Sequence, residues 1–108
     1  DTAFLFSDYN GNKIEPFRLY DIFSDPARLE DTDADVFFLI SKLMDECRPL
    51  PSLFFSCGTE DFLYPCHLSA KKKLKSLGVD AHFEEHPGTH TWEYWDAHIQ
   101  RALDWLID

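Results

Sequence analysis

The strongest constraint in this sequence is a pair of short strand-like segments that bracket a helical one. Leu53-Phe54-Phe55-Ser56-Cys57 is almost continuously apolar, the pattern of a strand buried on both faces. Asp80 to His86 alternates, with Ala81, Phe83 and Glu85 on one face and His82, Glu84 and His86 on the other. Between them a helix is expected from Pro65 to Leu77. Pro65 suits its first turn, Leu68, Leu74 and Leu77 mark its inner face, and Gly78 is a helix stop. Lys71, Lys72, Lys73 and Lys75 are expected to be mostly solvated. A connection of this length is a crossover, so the two strands should be parallel neighbours joined right-handedly.

Two parallel strands do not stand alone, because parallel sheets are covered on both faces and usually hold several strands. Two more helices are expected. One is capped by Asp35 and runs to about Cys47, with Val36, Leu39, Ile40, Leu43, Met44 and Cys47 at helical spacing and Pro49 and Pro51 ending it. The other runs from about Trp92 to Ile107, with Trp92, Trp95, Ile99, Ala102, Leu103 and Leu106 as a wide apolar stripe destined for a core. Upstream, Ala3 to Phe6 reads as a strand remnant, Asp8-Tyr9-Asn10-Gly11-Asn12 as a turn, and Asp25-Pro26 as a turn or helix start. The fold class is therefore α/β. With 10 Phe among 108 residues, the chain carries more aromatic surface than so short a chain buries well. Part of the core is expected to lie elsewhere, in upstream residues of the same domain or in another copy of the chain, as in a homo-oligomer.

The charge pattern removes several function classes. A net charge of −10 disfavours binding to nucleic acid and to anionic membrane surfaces, and no apolar run reaches transmembrane length. The acidic run Glu30-Asp31-Thr32-Asp33-Ala34-Asp35 lacks the glycine and the distal Glu of a calcium loop, so it reads as a solvated loop and helix start. Cys47, Cys57 and Cys66 are odd in number and hold no Cys-x-x-Cys pair. They read as reduced thiols, with no structural zinc site and no cofactor implied. A cytoplasmic location is expected; secretion stays open because Asp1 is not an initiator Met.

The chemistry lies just past the two strands. In open α/β sheets, ligands gather at the carboxyl ends of the strands. Asp61 follows the first strand and His90 the second, which puts both loops on one edge. The order, acid before histidine, is that of the hydrolases whose serine comes earlier still. An imidazole can take the proton of a serine hydroxyl, and a carboxylate on its Nδ1–H holds the tautomer and stabilises the cation that forms. Glu60 is the rival acid, expected to face solvent or a partner helix. His82, His86 and His90 recur every four residues, but Pro87-Gly88 keeps them off one helix, so no metal site is expected. His67 and His98 read as surface or packing residues on helices. Trp92, Trp95 and Trp105 read as core residues, with Trp92, beside the histidine, also a candidate lining for substrate. Cys57, inside an apolar strand, reads as an inert small hydrophobe.

Phe55-Ser56-Cys57-Gly58-Thr59-Glu60-Asp61-Phe62-Leu63-Tyr64 and Pro87-Gly88-Thr89-His90-Thr91-Trp92-Glu93-Tyr94-Trp95-Asp96 resemble the acid and histidine segments of the esterase D-like carboxylesterases, bacterial tributyrin-esterase-type proteins above all. Asp21-Ile22-Phe23-Ser24-Asp25-Pro26 resembles the lead into that family's penultimate helix, and the likeness runs from about Phe17 to Leu106. The resemblance implies that residues 1–108 are the C-terminal part of a single α/β-hydrolase domain about twice this length: its last two parallel strands with flanking helices, without the nucleophile half. It implies a serine carboxylesterase of short-chain or acyl-sugar esters acting through an acyl-enzyme, with Asp61 as triad acid and His90 as base. The nucleophile is not in this chain, because no serine here has the flanking glycines of a Gly-x-Ser-x-Gly elbow. Alone, the chain is then expected to be inactive. The other reading is a non-catalytic interaction module that keeps the hydrolase scaffold.

Overall fold

A computed structural model of the protein describes residues 28–108. The expectations that fall on Ala3–Phe6, on the turn at Asn10-Gly11 and on Asp21–Pro26 lie outside the described residues. The chain divides into two compact units, one ending at Pro51 and the other Ser52–Asp108. Among the described residues no helix is long and apolar enough to cross a membrane.

Helix α1, Val36–Asp45, belongs to the first unit and starts where the sequence places it. Asp35 is buried, and its Oδ1 accepts from the N–H groups of Phe37 (3.0 Å) and Phe38 (3.3 Å), which would otherwise be orphans of the first turn. Asp31 donates its N–H to the other oxygen, Oδ2, at 3.2 Å. The rest of the acidic run is exposed, as a solvated loop should be. The helix ends short of Pro49. Cys47 takes a left-handed φ of 54°, and Arg48 N–H reaches back to Leu43 O at 2.9 Å, the bond that closes a Schellman turn. Of the expected inward positions Ile40 is buried, while Val36, Met44 and Cys47 are exposed.

The second unit holds β1 (Phe54–Gly58), α2 (Tyr64–Ser76), β2 (His82–His86) and α3 (Trp92–Ile107). The strands pair in parallel, from Phe54 against His82 to Gly58 against His86. Alternation sends Phe55, Phe83 and Glu85 toward α2, and Phe54, Ser56, His82, Glu84 and His86 toward α3. On the α2 face, Phe55 and Phe83 stack at 4.7 Å and His67 packs its ring edge against Phe83. His67 is buried, and its Nε2 lies 3.0 Å from Glu85 Oε1, which also accepts from Lys71 at 2.9 Å. Lys71 is thus partnered rather than merely solvated. Leu74 is fully buried, as expected, but Leu68 is exposed. The inward face of α2 is turned by one residue, because His67 has a carboxylate to meet on the sheet and Leu68 has none.

Helix α3 departs more from expectation. Its span is the expected one, yet the apolar stripe is not the face that meets this sheet. Trp92 is 79% exposed and Leu106 72%, and Ile99 and Leu103 are exposed as well. The side facing the strands carries Tyr94, His98, Arg101 and Trp105. Tyr94 is buried, with its hydroxyl 3.1 Å from Ser56 Oγ. Trp105 lies against Phe54 at 5.4 Å, and His98 stacks on His86 at 4.2 Å. Arg101 grips Glu84 through Nε (2.5 Å) and Nη2 (2.8 Å). Apolar spacing reveals which side of a helix is greasy, but here specific polar pairs decide which side docks on β1 and β2.

Glu84 is the hub of that docking. It also accepts from His82 Nε2 at 2.9 Å and His86 Nε2 at 3.0 Å. Hydrogen bonds from Arg101, then His82 and His86, hold its carboxyl well below the usual carboxylate range. His98 is pushed down from its ordinary 6.5 by burial first and then by the neighbouring His86. Both groups bind fewer protons folded than unfolded, so both withdraw stability on acidification. Stability should therefore begin to fall below about pH 6.5 and fall further below about pH 4.5, where an unfolded Glu84 takes up its proton. Urea unfolding followed by circular dichroism across this range measures it, and Glu84→Gln should flatten the lower limb. A second expectation concerns the strand end. A Cβ on Gly58 would lie 2.2 Å from Gly88 O, a backbone atom that cannot swing away. Gly58→Ala should cost about 3 kcal/mol by the same measurement.

Candidate active site

Strand β1 ends at Gly58 and strand β2 at His86, directly opposite in register. The loops that leave them therefore start side by side. They are laced together at once: Thr59 N–H donates to His86 O at 2.9 Å and Glu60 N–H to Gly88 O at 3.0 Å. Gly58 fits because it has no side chain to meet Gly88. Gly88 is required on its own account, since its φ is 145° and the Tyr94 ring lies 2.6 Å from where a Cβ would stand.

The first loop turns back on itself to aim Asp61. Asp61 N–H donates to Gly58 O at 3.1 Å, and Tyr64 N–H to Asp61 O at 3.0 Å, leading into α2. Its side chain is 5% exposed. One carboxylate oxygen, Oδ1, accepts the Leu63 N–H at 2.8 Å. The other, Oδ2, lies 2.9 Å from His90 Nδ1. Both oxygens are thus engaged, which fixes the plane of the carboxylate.

The second loop delivers His90 just before α3. Thr91 is the cap of that helix, accepting the Tyr94 N–H on its hydroxyl at 3.3 Å, so the residue before it is held at the helix mouth. The imidazole is about one-third exposed. Phe62 lies at 5.0 Å from its ring, and Trp95 meets it edge-on at 4.9 Å. A carboxylate can only accept, so Nδ1–H is the donor in this contact and Nε2 is the ring nitrogen left to face a substrate. The arrangement is that of an oriented general base: an acid that fixes the tautomer, aromatic walls that hold the ring, and an imidazole open to solvent on one side.

The structure brings together the two residues that the sequence singles out, and it places Trp92 one aromatic contact further out. Trp92 packs edge-on against Trp95 at 4.9 Å and is otherwise exposed, so it takes no part in the packing on β1 and β2. Trp105 packs on the sheet. Glu60 is exposed, as expected, but it is also partnered: its carboxylate accepts the Gly88 N–H at 2.7 Å. Cys57 is buried, and burial above all raises its thiol to about 11, so it stays protonated at neutral pH. Sequence reasoning passed over Ser56–Tyr94 and Glu84–Arg101. The signal was present, since Ser56 and Glu84 share a sheet face and Tyr94, His98 and Arg101 share a helix face.

No family model matches the chain. An 85-residue stretch, 79% of the chain, is 33% identical to an acetyl esterase of Caldicellulosiruptor saccharolyticus and covers 32% of it. Among solved structures, the S-formylglutathione hydrolase FrmB of Staphylococcus aureus superposes with a TM-score of 0.77 at 33% identity, over 85% of this chain and 36% of that one. FphF, a fluorophosphonate-binding serine hydrolase of Staphylococcus aureus, superposes with a TM-score of 0.71 at 35% identity, over 74% of this chain and 31% of that one. The chain spans about a third of the length of the relatives it matches. In sequence and in fold, the chain is similar to the C-terminal part of these esterases and serine hydrolases of the α/β-hydrolase superfamily.

Proposed function

We propose that this chain supplies the acid and the base, Asp61 and His90, of a serine ester hydrolase whose nucleophile and oxyanion donors lie outside it. The observation that carries the reading is the 2.9 Å contact between His90 Nδ1 and a buried Asp61 carboxylate at the carboxyl edge of two parallel strands. His90 Nε2 would take the proton of the attacking serine hydroxyl as its oxygen bonds to the ester carbonyl carbon. The same nitrogen would return that proton to the departing alkoxide, leaving an acyl-enzyme that water then cleaves by the same route. Asp61 would stabilise the imidazolium formed in each half of the cycle without taking the proton itself.

The substrates we propose are esters of short acyl groups, acyl sugars included. The names of two relatives, an acetyl esterase and an S-formylglutathione hydrolase, both specify small acyl groups and support this. Exposed Trp92 and Phe62, on either side of the His90–Trp95 contact, would line the approach to the base. The partner is the remainder of the hydrolase domain, from upstream residues or from a second copy of the chain. Free Cys47, Cys57 and Cys66 suit a reducing cytoplasm.

The test is hydrolysis of nitrophenyl acetate by the 108-residue chain and by the longest product of its reading frame. The chain alone should show no hydrolysis above buffer. The longer product should turn over, and His90→Ala should lower its kcat by about 10³-fold or more. Full activity after His90→Ala overturns the assignment. A stable complex with a partner and no hydrolysis in any form would favour the non-catalytic module instead. Trp92→Ala should change the ranking of acetyl, butyryl and hexanoyl esters by kcat/KM while leaving the fold intact by circular dichroism.

A further inference from the structure

We infer that Glu60 is a positioning residue for His90, clamping the histidine loop to the acid loop through Gly88; this rests on the reading of Asp61 and His90 as acid and base. Glu60 and Gly88 hold each other by two bonds. The Glu60 N–H donates to Gly88 O at 3.0 Å, and the Gly88 N–H donates to Glu60 Oε2 at 2.7 Å. Both backbone groups of Gly88 are therefore committed to one residue that is 28 positions away in sequence. The Thr59 hydroxyl donates to the same Oε2 at 2.6 Å and fixes the carboxylate from behind.

The position of this clamp gives it its role. Glu60 neighbours Asp61, and Gly88 lies two residues before His90. The clamp and the Asp61–His90 contact are thus consecutive ties between the same two loops. The segment between them needs such a tie. Gly88 sits at a φ of 145°, in a region that only glycine enters easily, so its own conformational preferences do not hold His90 in place. Burial does not hold the clamp either, because Glu60 is exposed. Hydrogen bonds from the Gly88 N–H and the Thr59 hydroxyl keep the Glu60 carboxyl below its ordinary 4.5, so the acceptor is charged at neutral pH. Two adjacent acids therefore divide the work. Asp61 meets the imidazole, and Glu60 sets the distance at which it can.

Nuclear magnetic resonance on the 108-residue chain tests this without any need for turnover. Two signals are read: hydrogen exchange at the Gly88 amide, and the low-field Nδ1–H resonance of His90 that its bond to Asp61 protects. Glu60→Ala should speed Gly88 exchange by about fivefold or more and broaden the His90 resonance. Glu60→Gln keeps an oxygen acceptor on a side chain of the same length and should restore both signals in large part. Asp61→Asn is the control and should abolish the His90 resonance while leaving Gly88 protected. If Glu60→Ala leaves both signals unchanged while Asp61→Asn removes the resonance, the clamp is overturned and the Asp61–His90 pair stands. If Asp61→Asn leaves the resonance intact, the pair itself fails and the proposal falls with it.

Discussion

Gly58 and Gly88 approach so closely that no side chain fits between them, and the geometry of the site follows from that contact. The two glycines close the end of the parallel ladder, where Gly58 faces His86. From this point the loops separate, one toward Asp61 and the other toward His90. Any widening here would be passed directly to the 2.9 Å contact between them. A parallel pair makes this arrangement possible because both strands end at the same edge. An antiparallel pair would put the two loops at opposite ends.

The sheet presents two different surfaces to its helices. Toward α2 it is aromatic with one polar pair, buried His67 and half-buried Glu85. Toward α3 it carries a charged hub, in which Glu84 gathers Arg101, His82 and His86. A bidentate arginine on a carboxylate fixes direction as well as distance. It therefore sets the rotation of α3, and with that the position of Thr91 and of the residue before it. The apolar stripe of α3 is consequently left on the exposed side. Such a distribution suits a chain that spans about a third of its relatives' length.

The site also shows how two neighbouring carboxylates acquire different roles. Asp61 is buried and shares its two oxygens between a backbone N–H and an imidazole. Glu60 is longer by one methylene and exposed, and it reaches across to the backbone of the other loop. Composition treats them alike. What separates them is the tight turn after Gly58, which sends the Glu60 side chain across and the Asp61 side chain inward.

Much of this was legible in the residues. The near-continuous apolar run at Leu53–Cys57, the alternation at His82–His86 and the crossover between them require a parallel pair, and a parallel pair puts Asp61 and His90 on one edge. Asp35, Pro65 and Gly78 mark helix ends through local backbone chemistry, which depends only on near neighbours in sequence. The faces of the helices were not legible in the same way. Leu68 and the Trp92–Leu106 stripe have the right period to face the sheet, yet His67, Tyr94 and Arg101 take those places. Their partners, Glu85, Ser56 and Glu84, lie between 17 and 38 positions away in sequence. Hydropathy ranks side chains one at a time, whereas a hydrogen-bonded pair counts only once both members are in place. The sequence by itself determined the order of elements, the parallel pairing and the placement of Asp61 and His90 on one edge of the strands. Only the tertiary structure decided which helix faces dock, and that Glu60 binds the second loop, because those outcomes depend on distances between residues far apart in the chain.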